Sequence, residues 1–305
     1  MKTLKYLTVA ANIFLAHQTF ASDNSLISDI FSFDHPIYAK GCHTRLTGES
    51  KTGYKWELSD VQLVDIDYHV KAFRNETLMF QYGTGLPREP QATADRIVGT
   101  WMNRFLNGNP HGGMTIFNAE TRERIGHIVA GGGDRPGISE IAYTLMEDSW
   151  DGRDVPKIWG KGVMSGVVGS IVNDWAPEVI RLSESNMPVC IQKAFTCFGG
   201  KPLEGFDATA SPSNPGSWCV LKKHGFKAAI TNVDCGETVA DFDGKELEPS
   251  EFENELMKLY TVDTILETPL ERGIRYHVIG TDGTLHTVSH HKNFNRMKLH
   301  LELKF

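Results

Sequence analysis

KIWGKGVMSGVV, residues 157–168, sets Gly160 and Gly162 on either side of Lys161 and follows them with small and branched apolar residues. Glycines ahead of an apolar run let the backbone turn tightly and expose successive N–H groups where a helix begins. Those N–H groups, together with the positive end of the helix dipole, form a site for an anion such as phosphate. Val163, Val167, Val168, Ile171, Val172 and Trp175 continue as an apolar stripe at helical spacing, predicted to end before Pro177. The stretch is no P-loop, which needs Gly-x-x-x-x-Gly-Lys-Ser/Thr. It also misses the dinucleotide fingerprint Gly-x-Gly-x-x-Gly, because Gly166 falls one residue late.

Working outward, three strands are expected upstream, at Met114–Phe117, Ile125–Ala130 and Ile138–Met146. The polar segment 118–124 and the glycine-rich segment 131–137 connect them as hairpin-like linkers, which predicts antiparallel neighbours. No helix follows Gly131-Gly132-Gly133, so the triple glycine reads as a hairpin tip. Before these strands, EPQATADRIVGTWMNRFLNGNP (89–110) is the clearest helix, with Ala94, Ile97, Val98, Trp101, Met102, Phe105 and Leu106 on one face. Asn107-Gly108-Asn109-Pro110 stops it. Earlier still, Gly53–Leu58 suits a short strand, Asp60 suits a cap for a helix over 61–73, and residues 22–50 read as a polar lead-in with little pattern.

Downstream, residues 178–205 carry no clear pattern and Phe206–Ala210 suits a strand. Asn214–Lys223 suits a helix stopped by Gly225. The tail from Thr231 holds an acidic stretch, a helix over Ser250–Tyr260 and strands near Arg275–Ile279 and Met297–Phe305. The sum is an α+β domain.

Composition narrows the partners. With 305 residues, 40% hydrophobic and 23% charged, the chain can bury one large core. A net charge of -7 argues against nucleic acid and suits a cationic partner such as an amine. Cys42, Cys190, Cys197, Cys219 and Cys235 form no framework, being odd in number and loosely spaced, so free thiols are expected. Export would leave room for a disulfide. The start, MKTLKYLTVAANIFLAHQTFASD, has a basic Lys2 and Lys5, an apolar Leu7–Ala16 and a cleavage-like Thr19-Phe20-Ala21. Asn12, His17 and Gln18 interrupt that pattern, so both a signal peptide and an N-terminal segment of the fold stand as readings. No stretch is apolar enough to span a bilayer as a helix. His286, His290 and His291 lack a further spaced ligand type and suit an exposed strand and loop better than a metal site.

About fifty residues beyond the glycine loop lies SPSNPGSWCVLKKHGFKAAI, residues 211–230. The strand Ile138–Met146, the Gly-Lys-Gly loop with its helix, and then Asn-x-x-Ser…Leu-x-Lys-x-Gly-Phe together resemble the GNAT superfamily of N-acetyltransferases. EIAYTLMED followed by WGKGVMSGVV looks most like the subgroup that includes the ribosomal-protein alanine acetyltransferases and related amine acetylases. The resemblance covers roughly Trp56 to Ile230 in the expected element order.

That resemblance implies a fold and a set of roles. The fold is a mixed, largely antiparallel central sheet flanked by helices, with a C-terminal extension. Acetyl-CoA would be the co-substrate, with no metal, and its pyrophosphate would meet the backbone of Trp159, Gly160, Lys161, Gly162, Val163 and Met164. Trp159 stands where many members have Gln or Arg, Met164 where Gly or Ala is commoner, and DGRDVPKI (151–158) is an added length between strand and loop. Asn214 would bind the pantetheine or thiol region, or cap its helix. A backbone N–H near Leu145 or Met146 would serve the oxyanion. Glu140 is the candidate base, or else a structural hydrogen-bond partner, and Asp207 is held in reserve. Many members carry a Tyr where this chain has Leu221, which turns attention to Ser217 as the hydrogen-bond donor to the thiol.

The reading is therefore an acetyl-CoA-dependent N-acetyltransferase acting by direct attack of a primary amine, on a protein N-terminus, a polyamine or a small amine. The organisation is 1–21 as signal peptide or N-terminal segment, 22–52 as lead-in, 53–230 as catalytic core and 231–305 as extension. The alternative is a non-catalytic module on the same fold, or a delivered effector, whose tail recruits a partner. An acetyl-CoA enzyme belongs in the cytoplasm, and a cleaved leader would place the chain outside it. Oligomeric state is not legible.

Overall fold

The computed structural model describes residues 25–26, 28–35, 38–80, 82, 87–133, 135–146, 160–184, 187–210, 214–231, 238–241, 262–270, 273–280, 285–290 and 297–304. The segment 1–21, the insertion 151–158, Trp159, Cys235, His291 and the helix expected over 250–260 lie outside the described residues.

The first elements are strands β1 (Ser25–Leu26), β2 (Phe31–His35), β3 (Lys40–Glu49) and β4 (Lys55–Asp60), then helices α1 (Ile66–Arg74) and α2 (Glu76–Phe80). Next come α3 (Pro90–Arg96) and α4 (Asn103–Leu106), joined by a π-helical turn over Ile97–Met102. Strands β5 (Gly112–Asn118), β6 (Arg124–Ala130) and β7 (Ile138–Leu145) follow. Helix α5 (Val163–Ser170) passes through a second π-helical turn, Ile171–Trp175, into α6 (Ala176–Glu184), and α7 (Val189–Ala194) comes next. The chain ends with β8 (Gly205–Ala210), α8 (Pro215–Lys223), β9 (Lys227–Thr231), β10 (Thr238–Asp241), β11 (Val262–Leu270), β12 (Gly273–Gly280), β13 (Leu285–His290) and β14 (Met297–Glu302).

The chain divides into two compact units, one of residues 1–72, 88–139 and 143–203, the other of 73–87, 140–142 and 204–305. In the first unit, each of β1 to β5 pairs antiparallel with the next, with Leu58 opposite Ile116 across β4 and β5. Strand β7 lies next to β6, tied by the Met146 N–H to the Ile125 carbonyl at 2.7 Å. The helix over 90–106 lies on β5 because Gly112 and Gly113 carry no side chain; a Cβ on Gly113 would stand 2.3 Å from the Trp101 ring. Its buried face is Thr93, Ile97, Trp101, Met102 and Phe105. The extra residue of the π turn shifts the inward register, so Ala94, Val98 and Leu106 are only half-buried.

Three expectations are corrected in this unit. Phe31–His35 and Lys40–Glu49 are core strands, not a patternless lead-in. Phe31, Phe33, Cys42, Thr44 and Leu46 alternate inward, and Phe31 meets Phe195 edge-on with ring centroids 5.0 Å apart. Asp60 does not cap α1. Its carboxylate accepts from the Thr44 N–H at 3.2 Å and from Gln62 Nε2, tying β3 to β4, while Asp65 accepts the Gln62 N–H at 2.9 Å where the helical turn begins. The glycine-loop helix does not end before Pro177 but runs on to Glu184. Proline removes one helical hydrogen bond and crowds the preceding turn, and the wider π turn over Ile171–Trp175 stands directly before it.

In the second unit, β14 lies between β8 and β9, antiparallel to both, and β10 pairs with β9. Strands β11, β12 and β13 form a separate antiparallel sheet, fed from the long connection between β9 and β14. Phe206, Ala208, Leu221, Phe226 and Leu299 are buried here.

Candidate active site

In the first unit the glycine loop leads straight into α5. Gly160 and Gly162 have φ of +78° and +73°, a region that penalises any residue with a Cβ, and Gly162 is the N-cap. The first bond of the helix runs from the Gly166 N–H to the Gly162 carbonyl at 3.0 Å, so the amides of Val163 and Met164 precede it and have no acceptor in their own helix. The side chains of Val163 and Met164 are buried while Gly160, Lys161 and Gly162 are exposed. These residues therefore present backbone to a ligand. Among the described residues, a Cβ built on Gly160 meets nothing within 4 Å. The loop fits a diphosphate: small, exposed, rich in N–H groups and at the positive end of a helix.

The end of β7 separates the two oxyanion candidates. Met146 spends its N–H on Ile125, so it is not free to serve an oxyanion. Successive N–H groups on a strand point to opposite edges, which turns the Leu145 N–H away from β6. The Met146 carbonyl also accepts from the Tyr68 hydroxyl at 3.4 Å, fixing this strand end against α1.

Beneath β5 and β6 lies a buried polar chain. Arg124 Nε donates to Asp65 Oδ1 at 2.6 Å, the Thr115 hydroxyl lies 3.2 Å from Asp65 Oδ2, and His69 Nε2 lies 3.2 Å from Thr115 Oγ1. The His69 and His127 rings meet edge to face at 5.5 Å. Burial pushes His69 down to about 4 and His127 well below its ordinary value, so both imidazoles are neutral near pH 7. His111 is likewise held at about 4 by burial, 3.2 Å from the Phe195 carbonyl and 3.8 Å from Cys197 Sγ.

Glu140 groups with the second unit and is half-buried on β7, on the face opposite Ser139 and Ile141. Asn214 is the N-cap of α8: its Oδ1 accepts from the Ser217 N–H at 3.2 Å, so capping uses the carbonyl end of its amide. Ser217 is half-buried and Leu221 is 1% exposed, packed inward. Asp207 on β8 faces His300 on β14, with Asp207 Oδ1 2.8 Å from His300 Nδ1. Sequence reasoning named Asp207 and missed His300, because only the register of the closing strand puts the imidazole opposite the carboxylate. Among the described residues no group of three or more His, Cys, Asp or Glu side chains is placed to hold a metal, and no helix is long and apolar enough to cross a membrane.

Comparison with known proteins follows the same outline. An acetyltransferase (GNAT) domain model matches residues 56–227, over half of the chain. No curated protein matches. Among solved structures, a GNAT-family acetyltransferase from Bacillus anthracis shares 10% identity at a TM-score of 0.43, covering 84% of this chain and 98% of its own. The ribosomal-protein-S5-alanine acetyltransferase of Vibrio fischeri shares 15% identity at a TM-score of 0.40, covering 67% of this chain and 100% of its own. Spermidine N-acetyltransferase from Vibrio cholerae, bound to CoA and spermine, shares 12% identity at a TM-score of 0.38, covering 61% and 88%. With the family domain spanning β4 to β9 and the glycine loop at the head of α5 inside it, the chain belongs to the GNAT acetyltransferase family.

Proposed function

We propose that the chain moves an acetyl group from acetyl-CoA to a primary amine by direct attack of the amine on the thioester. Acetyl-CoA would supply the activated acetyl group, and the acceptor would be a protein N-terminus, a polyamine or a small amine. The observation that carries the reading is the loop Gly160-Lys161-Gly162, with two left-handed glycines ahead of the amides of Val163 and Met164, which have no acceptor in their own helix.

The roles follow from what each group can do. Amides of the loop and of the first turn of α5 hold the diphosphate, with the Lys161 ammonium adding charge. The Leu145 N–H donates to the oxyanion that forms as the amine nitrogen bonds to the carbonyl carbon. Glu140 accepts the proton the amine gives up, directly or through water. Ser217 donates to the sulfur as the C–S bond breaks, and the Asn214 amide contacts the pantetheine arm. Residues 53–230 would form the catalytic core, with 231–305 an extension that supplies the closing strand β14. Use of acetyl-CoA would put the reaction in the cytoplasm, unless residues 1–21 are a cleaved export signal.

Calorimetric titration with acetyl-CoA, repeated on Gly162→Glu, tests the reading. Micromolar binding that the carboxylate abolishes supports the site and opens a screen of amines. Absence of binding by the folded wild type would overturn it and leave the non-catalytic module whose tail recruits a partner.

A further inference from the structure

We propose that the turn between β3 and β4, residues 50–54, is a clamp that positions the glycine loop, with Thr52 as its acting residue; this rests on the acetyl-CoA reading above. The turn lies just ahead of the matched family domain, which begins at residue 56. It is rigid. The Ser50 N–H donates to the Tyr54 carbonyl and the Gly53 N–H to the Ser50 carbonyl, both at 2.9 Å, and Gly53 sits at φ +80°. Ser50 Oγ accepts from the Thr52 N–H at 3.3 Å and from the Tyr54 N–H at 3.2 Å.

Thr52 then reaches 109 residues along the chain. Its hydroxyl donates to the Lys161 carbonyl at 2.8 Å. That spends its single proton, so the 3.0 Å contact between the two hydroxyls is a bond from Ser50 to Thr52. Donors in series polarise one another and strengthen the last bond. Holding the Lys161 carbonyl fixes the whole peptide plane. In a trans peptide the N–H opposes the carbonyl, so the Gly162 N–H points away from the turn. Two further contacts secure the loop: the Lys161 ammonium stands 5.9 Å from the Tyr54 ring centroid, and Tyr54 Oη accepts from Asn118 Nδ2 at 3.0 Å. A loop with two left-handed glycines has many other conformations when free, and the clamp removes that disorder before the ligand arrives.

The test is CoA calorimetry on the wild type, Thr52→Val and Thr52→Ser, with a melting curve for each. Thr52→Val should weaken CoA binding about three- to tenfold, the worth of one hydrogen bond, at an unchanged melting temperature, because Thr52 is exposed. Thr52→Ser, which keeps the hydroxyl, should restore wild-type affinity. Equal CoA affinity in Thr52→Val and wild type would overturn the clamp and leave the acetyl-CoA reading intact. A valine variant that melts earlier, or a serine variant that fails to recover, would reduce Thr52 to a folding contact and also overturn it. Failure of the wild type to bind CoA would overturn both.

Discussion

The indole nitrogen of Trp56 stands 2.9 Å from the point where a Cβ on Gly166 would lie. On its other side the same ring is 2.3 Å from the corresponding point on Gly48. Trp56, 1% exposed, is thus a wedge seated between two bare backbones, and it sets how closely the first turn of α5 approaches β3 and β4.

Gly166→Ala makes this measurable. Alanine inside a helix gains about 0.5–1 kcal/mol over glycine. Overpacking against a buried ring costs about 1–3 kcal/mol, so the clash should win and the variant should lose about 1 kcal/mol in urea unfolding. Among the described residues Trp56 Nε1 has no hydrogen-bond partner, so Trp56→Phe removes the clashing atom without breaking a described bond. The double variant should then be less destabilised than the sum of the two singles. Strict additivity would show that the two residues are not coupled.

His43 should make stability fall at alkaline pH. Its Nε2 is 3.2 Å from Asp34 and its Nδ1 3.5 Å from Asp60, and the hydrogen bond to Asp60 leads in raising it from 6.5 to about 9. A raised folded value means the contribution is complete below pH 6.5 and is lost as pH climbs through 9. The side chain is 32% exposed, which screens the gain to roughly 1–2 kcal/mol. Urea midpoints should therefore drop between pH 7 and pH 10 in the wild type, with a shallower slope in His43→Gln. Parallel slopes would remove His43 from the account.

Much of this fold is readable from residue order, because hydrophobic spacing and glycine placement report local geometry directly. Strands β5 to β8, helix α8 with Asn214 and Gly225, and the glycine loop all follow from such spacing. Strand β3 escapes that reading, although Cys42, Thr44 and Leu46 alternate, because its inward Thr and the charged residues between them hide a core strand among polar neighbours. The π turns escape it too, because the one-residue insertion in each is decided by packing against β5 or by Pro177. The partners of Asp207 and Asp65 depend on strand register and on distant contacts. Thus His300, Thr115 and Arg124 carried no signal until the strands were paired.

Asp65 should be among the costliest polar residues to remove. It is 1% exposed and accepts from Arg124 Nε and the Gln62 N–H, with the Thr115 hydroxyl 3.2 Å away. Asp65→Ala takes the acceptor from Arg124 Nε and the Gln62 N–H at once; breaking a fully buried pair from one side costs about 3–5 kcal/mol, and with Arg124 32% exposed the loss should fall at the lower end of that range. Asp65→Leu combined with Arg124→Leu removes both charges and should recover part of that loss. Chemical denaturation of the four proteins in the cycle measures the coupling. A double variant no better than the sum would show that Arg124 is solvated independently of Asp65.

The proton acceptor can be identified by comparing two carboxylates. Asp207 is already engaged by His300 at 2.8 Å, directly across the strand pair, and so is partly satisfied within its own sheet. Glu140 lies on the outward face of β7, away from the buried Ser139 and Ile141. Glu140→Gln keeps shape and removes the basic oxygen, so kcat with a good amine acceptor should fall about 10²- to 10⁴-fold while CoA affinity stays the same. His300→Gln and Asp207→Asn should each stay within about threefold. The acid limb of the pH–rate profile should vanish only in Glu140→Gln, because that limb reports the carboxylate that must be ionised to take the proton. If His300→Gln abolishes the limb and Glu140→Gln leaves it, the Asp207–His300 pair is the base, the carboxylate orienting an imidazole that takes the proton from the amine.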